Sequence, residues 1–213
     1  MTDEIFISRL QADEVPLNEL LGFVWQSLQA AATNPDSPLL LPVVATAGED
    51  GLPAVRTMVL RGVGIEQRQL LFFSDRRGVK VHHLNAQSAV ELVFYDPTLR
   101  FQLRVGGYAI VSTGDEVRGI WDSLPQSVRI LYGANPAPGS VVERPMSGLP
   151  DALFDGGAQD QVDAQIESGF DNFAVISVSV AQIDWLLLTN DGNRAARFVW
   201  PEQGEVSATW RVP

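Results

Sequence analysis

Between Leu39 and Val212 the sequence breaks again and again into short apolar runs separated by turn-forming residues. That rhythm limits the available folds more than any other feature. The strand-like runs are Leu39–Thr46, Thr57–Leu60, Leu70–Phe73, Val90–Tyr95, Phe101–Val105, Tyr108–Ser112, Phe173–Val180, Trp185–Leu188, Arg197–Trp200 and Val206–Val212. Gly48-Glu49-Asp50-Gly51, Asp96-Pro97 and Asn190-Asp191-Gly192 punctuate them, the last being a strong hairpin signal. Phe101–Val105 and Tyr108–Ser112 read as a hairpin-like pair, with Gly106-Gly107 between them marking a bulge or sharp coil. Roughly nine or ten short strands, mostly hairpin-connected with helices between groups, predict a mainly β fold: an antiparallel barrel with peripheral helices. A doubly wound parallel sheet would need regular strand–helix alternation, which is missing.

The helices are fewer. Leu17, Leu20, Leu21, Val24 and Leu28 recur at helical spacing, predicting an amphipathic helix from Pro16 to about Ala32. Asn34-Pro35-Asp36-Ser37-Pro38 ends it. Asp115 to Tyr132 is helical in pattern and divided at Pro125. Gly133–Asn172 is rich in Gly, Pro and Asp, without sustained period. It predicts a long excursion with one helix around Asp160–Glu167, either a mobile lid over a site or a plain surface loop. Residues 1–213 are expected to form a single domain with an N-terminal helix, an inserted loop at about 133–172 and C-terminal strand hairpins.

Composition removes whole classes of function. A formal charge of −11 opposes non-specific nucleic-acid binding, which needs a basic face. No apolar run approaches the length of a membrane span. The opening MTDEIFISRL carries acids where a secretory signal carries positive charge. Without cysteine the chain has no disulfide, iron–sulfur cluster or thiolate chemistry. A cytoplasmic protein with neither nucleic-acid nor membrane partners is expected. The two histidines, His82 and His83, are adjacent and point about 100° apart on a helix, whereas paired metal ligands want a spacing of three or four. They read as surface or partly packed residues, and no metal site is expected. There is no Gly-x-Ser-x-Gly elbow. Gly62-Val63-Gly64 lacks the third glycine of a dinucleotide loop and is followed by a strand.

Positive charge is concentrated in one place. Pro53–Asn85 holds Arg56, Arg61, Arg68, Arg76, Arg77 and Lys80, the only lysine, against Glu66 and Asp75. That is +4 in a chain of −11, so the remainder carries −15. The window reads as strand, turn, strand and then helix, with Ser74 and Asp75 where a helix N-cap would sit and Gly78 allowing close backbone approach. Hydroxyls, first-turn amides and one or two cations together suit a phosphate. Strand alternation places Arg56, Met58 and Leu60 on one face and Thr57, Val59 and Arg61 on the other. Gln102, an amide in mid-strand, and Arg197, in the C-terminal hairpin with Trp185 upstream, are polar and aromatic candidates to complete such a site.

These residues resemble a known family. Arg56-Thr57-Met58-Val59-Leu60-Arg61-Gly62 is similar to the Arg-x-Val-Leu-Leu-Lys-Gly strand of the pyridoxamine 5′-phosphate oxidases. Phe73-Ser74-Asp75-Arg76-Arg77-Gly78-Val79-Lys80 resembles their following Tyr-Thr-Asn-x-x-Ser-Arg-Lys segment. Arg100-Phe101-Gln102-Leu103, followed by Gly107, resembles their Arg-Gln-Val…Gly strand, and Arg197-Phe198 resembles an arginine near their C-terminus. The four pieces run in order from about Leu39 to the end. The resemblance implies a split β-barrel that binds FMN at a homodimer interface and acts as an FMN-dependent oxidoreductase on a small-molecule substrate or electron donor. It implies that Arg56, Thr57, Met58 and Val59 line the ring and ribityl chain, with Arg61 near flavin and substrate. Phe73, Ser74 and Lys80 would hold the phosphate end, and Gln102, Trp185 and Arg197 would reach the ring, the last two from the C-terminal segment of the other subunit.

The family pattern breaks in three places. Val79 stands where the oxidases carry an arginine, leaving Arg76 or Arg77 as candidates to neutralise the phosphate. Leu124-Pro125 lies where they place a substrate arginine, leaving Ser127 and Arg129. Asn193-Arg194-Ala195 replaces an Arg-x-His motif and keeps only Arg194 for substrate. The resemblance therefore carries FMN but names no substrate. A non-catalytic flavin or haem carrier on the same barrel is the alternative, although His82 and His83 lie in the wrong helix for an axial haem ligand.

Overall fold

The computed structural model describes residues 3–12, 14–149, 159–201 and 204–213. Its strands are β1 (Val43–Ala47), β2 (Pro53–Thr57), β3 (Leu60–Gly64), β4 (Gln69–Asp75), β5 (Ala89–Asp96), β6 (Phe101–Thr113), β7 (Phe173–Leu187), β8 (Arg194–Val199) and β9 (Ser207–Arg211). They form one nine-stranded sheet in the order β2-β1-β5-β6-β7-β4-β3, with β8 on β7 and β9 on β8. Every pairing is antiparallel. β2 and β3 stand at opposite ends of this path, yet only Met58 and Val59 separate them in sequence. Three virtual bonds span at most about 11 Å, so the sheet must curl until its outer strands meet.

β7 decides where the curled sheet divides. It pairs with β6 along its length, while its first half, Phe173–Ser179, holds β4 and its second half, Gln182–Leu187, holds β8. The result is a mainly antiparallel split barrel. Its interior is filled by Leu60, Leu70, Phe72, Leu92, Phe94, Phe101, Leu103, Ile183, Trp185 and Phe198. Helix α2 (Leu17–Ala31) buries Leu20, Val24 and Leu28 against that core, with Phe23 edge-on to Phe101. Helix α1 (Asp3–Gln11), unforeseen in the sequence, stacks Phe6 on Phe23.

The remaining helices are α3 (Val79–Ala86), α4 (Arg118–Ser123), α5 (Gln126–Arg129) and α6 (Gln159–Ser168). A second apolar cluster joins Trp121 and Tyr132 to Ile166, Phe173 and Val175, seating the Asp115–Tyr132 region and α6 beside the start of β7. The helix break at Leu124-Pro125 and a helix near Asp160–Glu167 are as predicted. Residues 150–158 of the Gly133–Asn172 excursion lie outside the described residues. No helix among the described residues is long and apolar enough to cross a membrane.

Four strand expectations need correction. Leu39–Thr46 is not one strand: Pro38–Leu40 form a 3-10 turn capped by Ser37, and the strand starts only after Pro42. Thr57–Leu60 is the crossing between two strands. Phe101–Val105 and Tyr108–Ser112 are halves of β6, not a hairpin, with the register shift at Gly106/Gly107 forming the predicted bulge. Phe173–Val180 and Trp185–Leu188 likewise fuse into β7, because each is held by the continuous partner β6. A Cβ at Gly107 would overlap the Ser179 carbonyl oxygen across that pairing. Gly107→Ala should therefore cost about 1–3 kcal/mol, the usual range for overpacking. Gly119→Ala, in α4 with nothing within 4 Å of the added methyl, should change stability by less than about 1 kcal/mol. Chemical denaturation of both variants measures the difference.

Candidate functional site

The strand–turn–helix corner is built differently from its sequence reading. Ser74 and Asp75 do not cap α3; both remain in β4, where Asp75 pairs with Phe173. The helix is capped instead by Gly78, in extended conformation and without a side-chain bond. Asp75 holds the intervening turn. Its Oδ1 accepts the Arg77 backbone N–H at 2.8 Å and Arg77 Nε–H at 3.0 Å, and its Oδ2 accepts Arg77 Nη2–H at 2.6 Å. Arg77 Nη2 also donates to the Ala134 carbonyl at 2.9 Å. This pairing raises the Arg77 pKa and leaves the guanidinium bracing the turn. Arg76 is exposed, and Ser74, buried, donates its hydroxyl to the Asp75 carbonyl at 3.1 Å.

Two other cations, Arg56 and Lys80, repel each other and have no salt-bridge partner among the described residues. Arg56 reaches from β2 to donate Nη1–H to Thr46 Oγ1 at 2.8 Å and to the Val44 carbonyl at 3.3 Å. Lys80 folds back over its own helix start, so that a Cβ at Gly78 would lie 3.2 Å from Lys80 Nζ. Lys80 makes no hydrogen bond or salt bridge among the described residues. Burial, then the charge of Arg56, lowers the Lys80 pKa, with Asp75 opposing; burial also lowers that of Arg56. Half-buried like charges beside first-turn amides form an arrangement that an oxyanion would relieve. Thr46, buried, also lies 3.1 Å from Nδ1 of buried His83. Neither residue was a sequence candidate, since the contact depends on how α3 docks on β1. His82 is exposed.

Gln102 and Arg197 occupy a second place. Gln102 is on β6, and Arg197 on β8 lines with it an open cavity that also includes Arg104, Asp184 and Arg211. Arg197 is bidentate on Asp184, at 2.5 and 2.9 Å, which raises its pKa. The pair continues across the strands to Arg104 and Glu91. Asp184 and its neighbours escaped the sequence reading because cross-strand partners are unknown until register is known. β7, β6, β5 and β1 separate β8 from β2, whereas only β5 and β1 separate β6 from it; at about 4.8 Å per strand, Arg197 lies about 24 Å and Gln102 about 14 Å from β2 along the sheet. Trp185 is 1% exposed, so its indole belongs to this chain's core, where its Nε1–H has no partner.

The crossing lies at the edge of the corner: Thr57 is exposed, Val59 half-buried and Met58 buried, with Met58 N–H donating to the Pro42 carbonyl at 3.1 Å. Exposed Arg61 caps half-buried Phe73, Cζ to ring centroid 5.6 Å. Among the substrate candidates, Ser127 is exposed, Arg129 keeps a buried Nε–H without partner, and Arg194 donates to the Gly192 carbonyl at 2.8 Å.

Residues 23–113, which include the C-terminal part of α2, the corner, the crossing and Gln102, match the family model described as pyridoxamine 5′-phosphate oxidase, FMN-binding domain. Over this segment the chain is similar to the pyridoxamine 5′-phosphate oxidase-related family. A pyridoxine/pyridoxamine 5′-phosphate oxidase of Pseudomonas fluorescens (strain SBW25) is 27% identical over 147 residues, covering 69% of this chain and 66% of that protein. One from Ectopseudomonas mendocina (strain ymp) is 33% identical over 110 residues, 52% of this chain and 49% of that protein. The chain thus spans about half to two thirds of the length of the curated relatives it matches. A family-related FMN binding protein from Nostoc punctiforme PCC 73102 superposes with a TM-score of 0.71 at 21% identity, covering 93% of this chain and 98% of that one. PhzG from Burkholderia lata 383, solved with tetrahydrophenazine-1-carboxylic acid, gives 0.67 at 14% identity, covering 94% and 95%. These two likenesses establish the fold as the family's split barrel.

The Lys80 environment sets a pH dependence. With its pKa lowered from 10.5 on folding, the unfolded chain binds that proton more tightly, and stability rises with pH through the window below 10.5. Lys80→Met should accordingly raise the thermal midpoint of the ligand-free chain at neutral pH, by an amount that shrinks as pH approaches 10.5. Thermal melts of both proteins across this range provide the check.

Proposed function

We propose that this chain is an FMN-dependent oxidoreductase that seats the flavin phosphate between Arg56 and Lys80 and completes the flavin site with a second copy of itself. The observation that carries this reading is the pair of half-buried, mutually repelling cations, Arg56 on β2 and Lys80 in the first turn of α3, neither of which makes a salt bridge among the described residues. A phosphate dianion would relieve their repulsion and accept the first-turn amides of α3. The matched family model describes an FMN-binding domain over this same segment. Arg56 and Lys80 are the phosphate residues in this reading; Arg77 is engaged by Asp75, and Arg76 is left as a peripheral charge.

Arg197, five strand spacings along the sheet from that corner, would meet the flavin ring from the second copy, and Gln102 would reach it from β6. The outward sheet surface between the two groups supports such a pairing. Val55 on β2, Val43 on β1, Tyr95 on β5, and Tyr108 and Ile110 on β6 are large apolar side chains left exposed. An apolar surface of this kind on a water-soluble sheet marks an interface. Bound FMN would supply hydride acceptance. The chain's own part is to hold it, to exclude water along the Thr57–Val59 crossing and to present a guanidinium, Arg197, kept charged by Asp184.

Substrate groups are assigned to Arg61, Ser127, Arg129 and Arg194. Leu124, where the related oxidases carry a substrate arginine, packs against the second apolar cluster. We therefore expect pyridoxamine phosphate to reduce the flavin poorly compared with a nicotinamide donor. The purified protein should be yellow, or become so with added FMN, and elute as a dimer on gel filtration. Lys80→Ala should weaken FMN binding by about 1.5–3 kcal/mol, or about ten- to a hundredfold. A colourless protein that ignores FMN would remove the flavin reading. A flavin that no donor bleaches anaerobically would favour a carrier over an enzyme.

A further inference from the structure

The buried contact among Arg56, Thr46 and His83 has no place in either the phosphate site or the ring site. We propose that Thr46 and His83 are positioning residues that aim both Arg56 and Lys80 at the flavin phosphate, an inference that rests on the flavin reading above. The direction of the bonds follows from proton counting. Arginine only donates, so Thr46 Oγ1 accepts from Arg56 Nη1 at 2.8 Å. The single hydroxyl proton then has two acceptors to choose from: the Ala54 carbonyl at 3.5 Å, too long for a good O–H···O bond, and His83 Nδ1 at 3.1 Å. We assign it to His83 Nδ1 on the shorter distance, an assignment that places that ring's own proton on Nε2.

This arrangement locates two cations with one hydroxyl. On the β2 side, Thr46 and the Val44 carbonyl occupy Nη1 of Arg56. Its Nε and Nη2 donors have no partner among the described residues and are left for a ligand. On the helix side, His83 lies three residues after Lys80 in α3, hence on the same face. A hydrogen bond that pins His83 to β1 therefore sets the rotation of α3 and the direction from which Lys80 approaches. Thr46 is 3% and His83 8% exposed, so the relay is shielded from competing water and its geometry persists whether or not an anion is bound.

The test compares FMN with riboflavin, which has the same ring but no phosphate. Flavin-stripped full-length protein is titrated with each, alongside Thr46→Val and His83→Leu, which remove the relay while keeping side-chain volume, and Thr46→Ser and His83→Asn, which restore the hydroxyl and an acceptor near Nδ1. Thr46→Val and His83→Leu are expected to weaken FMN about five- to tenfold, less than the loss of a direct charge-assisted contact because they act through Arg56 and Lys80. Riboflavin should shift by less than about twofold and the conservative variants should stay within about threefold of the unmodified chain on the same scale. Thr46→Val is nearly isosteric and keeps the test open should His83→Leu fail to fold. Equal weakening of both flavins, or FMN affinity unchanged in Thr46→Val, overturns the positioning role while leaving flavin binding intact. An unmodified chain that binds neither flavin overturns the flavin reading and this inference with it.

Discussion

The two-residue link between β2 and β3 governs the rest of this molecule. Sheet pairing sends those strands to opposite ends of the hydrogen-bonded path, and the peptide chain will not let them part by more than about 11 Å. Curling the sheet is the one arrangement that satisfies both. Closure then turns Leu60, Leu70, Phe72 and Phe94 inward as a common core. It also sets Arg56 just before the link and Arg61 just after it. β4 follows directly on β3 and delivers α3, with Lys80, beside β1 and β6. A covalent constraint of two residues thus gathers the charges that the sequence spreads over a strand–turn–strand–helix segment.

Electrostatics divides those charges into two kinds. Arg77 and Arg197 have carboxylate partners, Asp75 and Asp184, in good bidentate geometry, and their pKa values rise accordingly. Such pairs stabilise turns and strand registers modestly where they are partly exposed. Arg56 and Lys80 have none, and burial works against their charge. In our reading, an acidic chain that leaves these two cations without a carboxylate partner among the described residues holds local stability in reserve for an anionic ligand. The separation of this corner from the Gln102–Arg197 group, with exposed Val43, Val55 and Tyr95 on the sheet between them, links ligand binding to self-association in our reading.

Much of the fold was legible in the sequence. The apolar period of α2, the Asn190-Asp191-Gly192 hairpin, the division at Pro125 and the Gly106-Gly107 bulge were all readable, because each is decided by local sterics or by which face of a short element is apolar. The errors share one cause. Splitting β6 and β7 into four strands took a local weakness for an end, whereas the long β6–β7 ladder carries pairing straight across it. Placing the cap at Ser74 and Asp75 overlooked the pairing of Asp75 with Phe173, which keeps that residue in the strand. The four family motifs pointed to the corner and the crossing, which lie within the segment matched by the family model. They could not reveal Thr46, His83 or Asp184, whose partners lie on strands and helices that are remote in sequence.

By itself, the sequence determined the kind of protein this is: an antiparallel barrel with peripheral helices, without cysteine chemistry, whose positive charge gathers in one window. Composition, periodicity and turn chemistry are properties of neighbouring residues, and they survive without knowledge of who pairs with whom. Only the tertiary structure decided which cations stand free and which are neutralised. Arg77 and Lys80 are three residues apart and equally charged in the sequence, yet Asp75 occupies the first and leaves the second facing Arg56. Strand register and helix docking make that distinction, because charge–charge energies depend on distances of a few ångströms and on burial, which only the folded chain specifies.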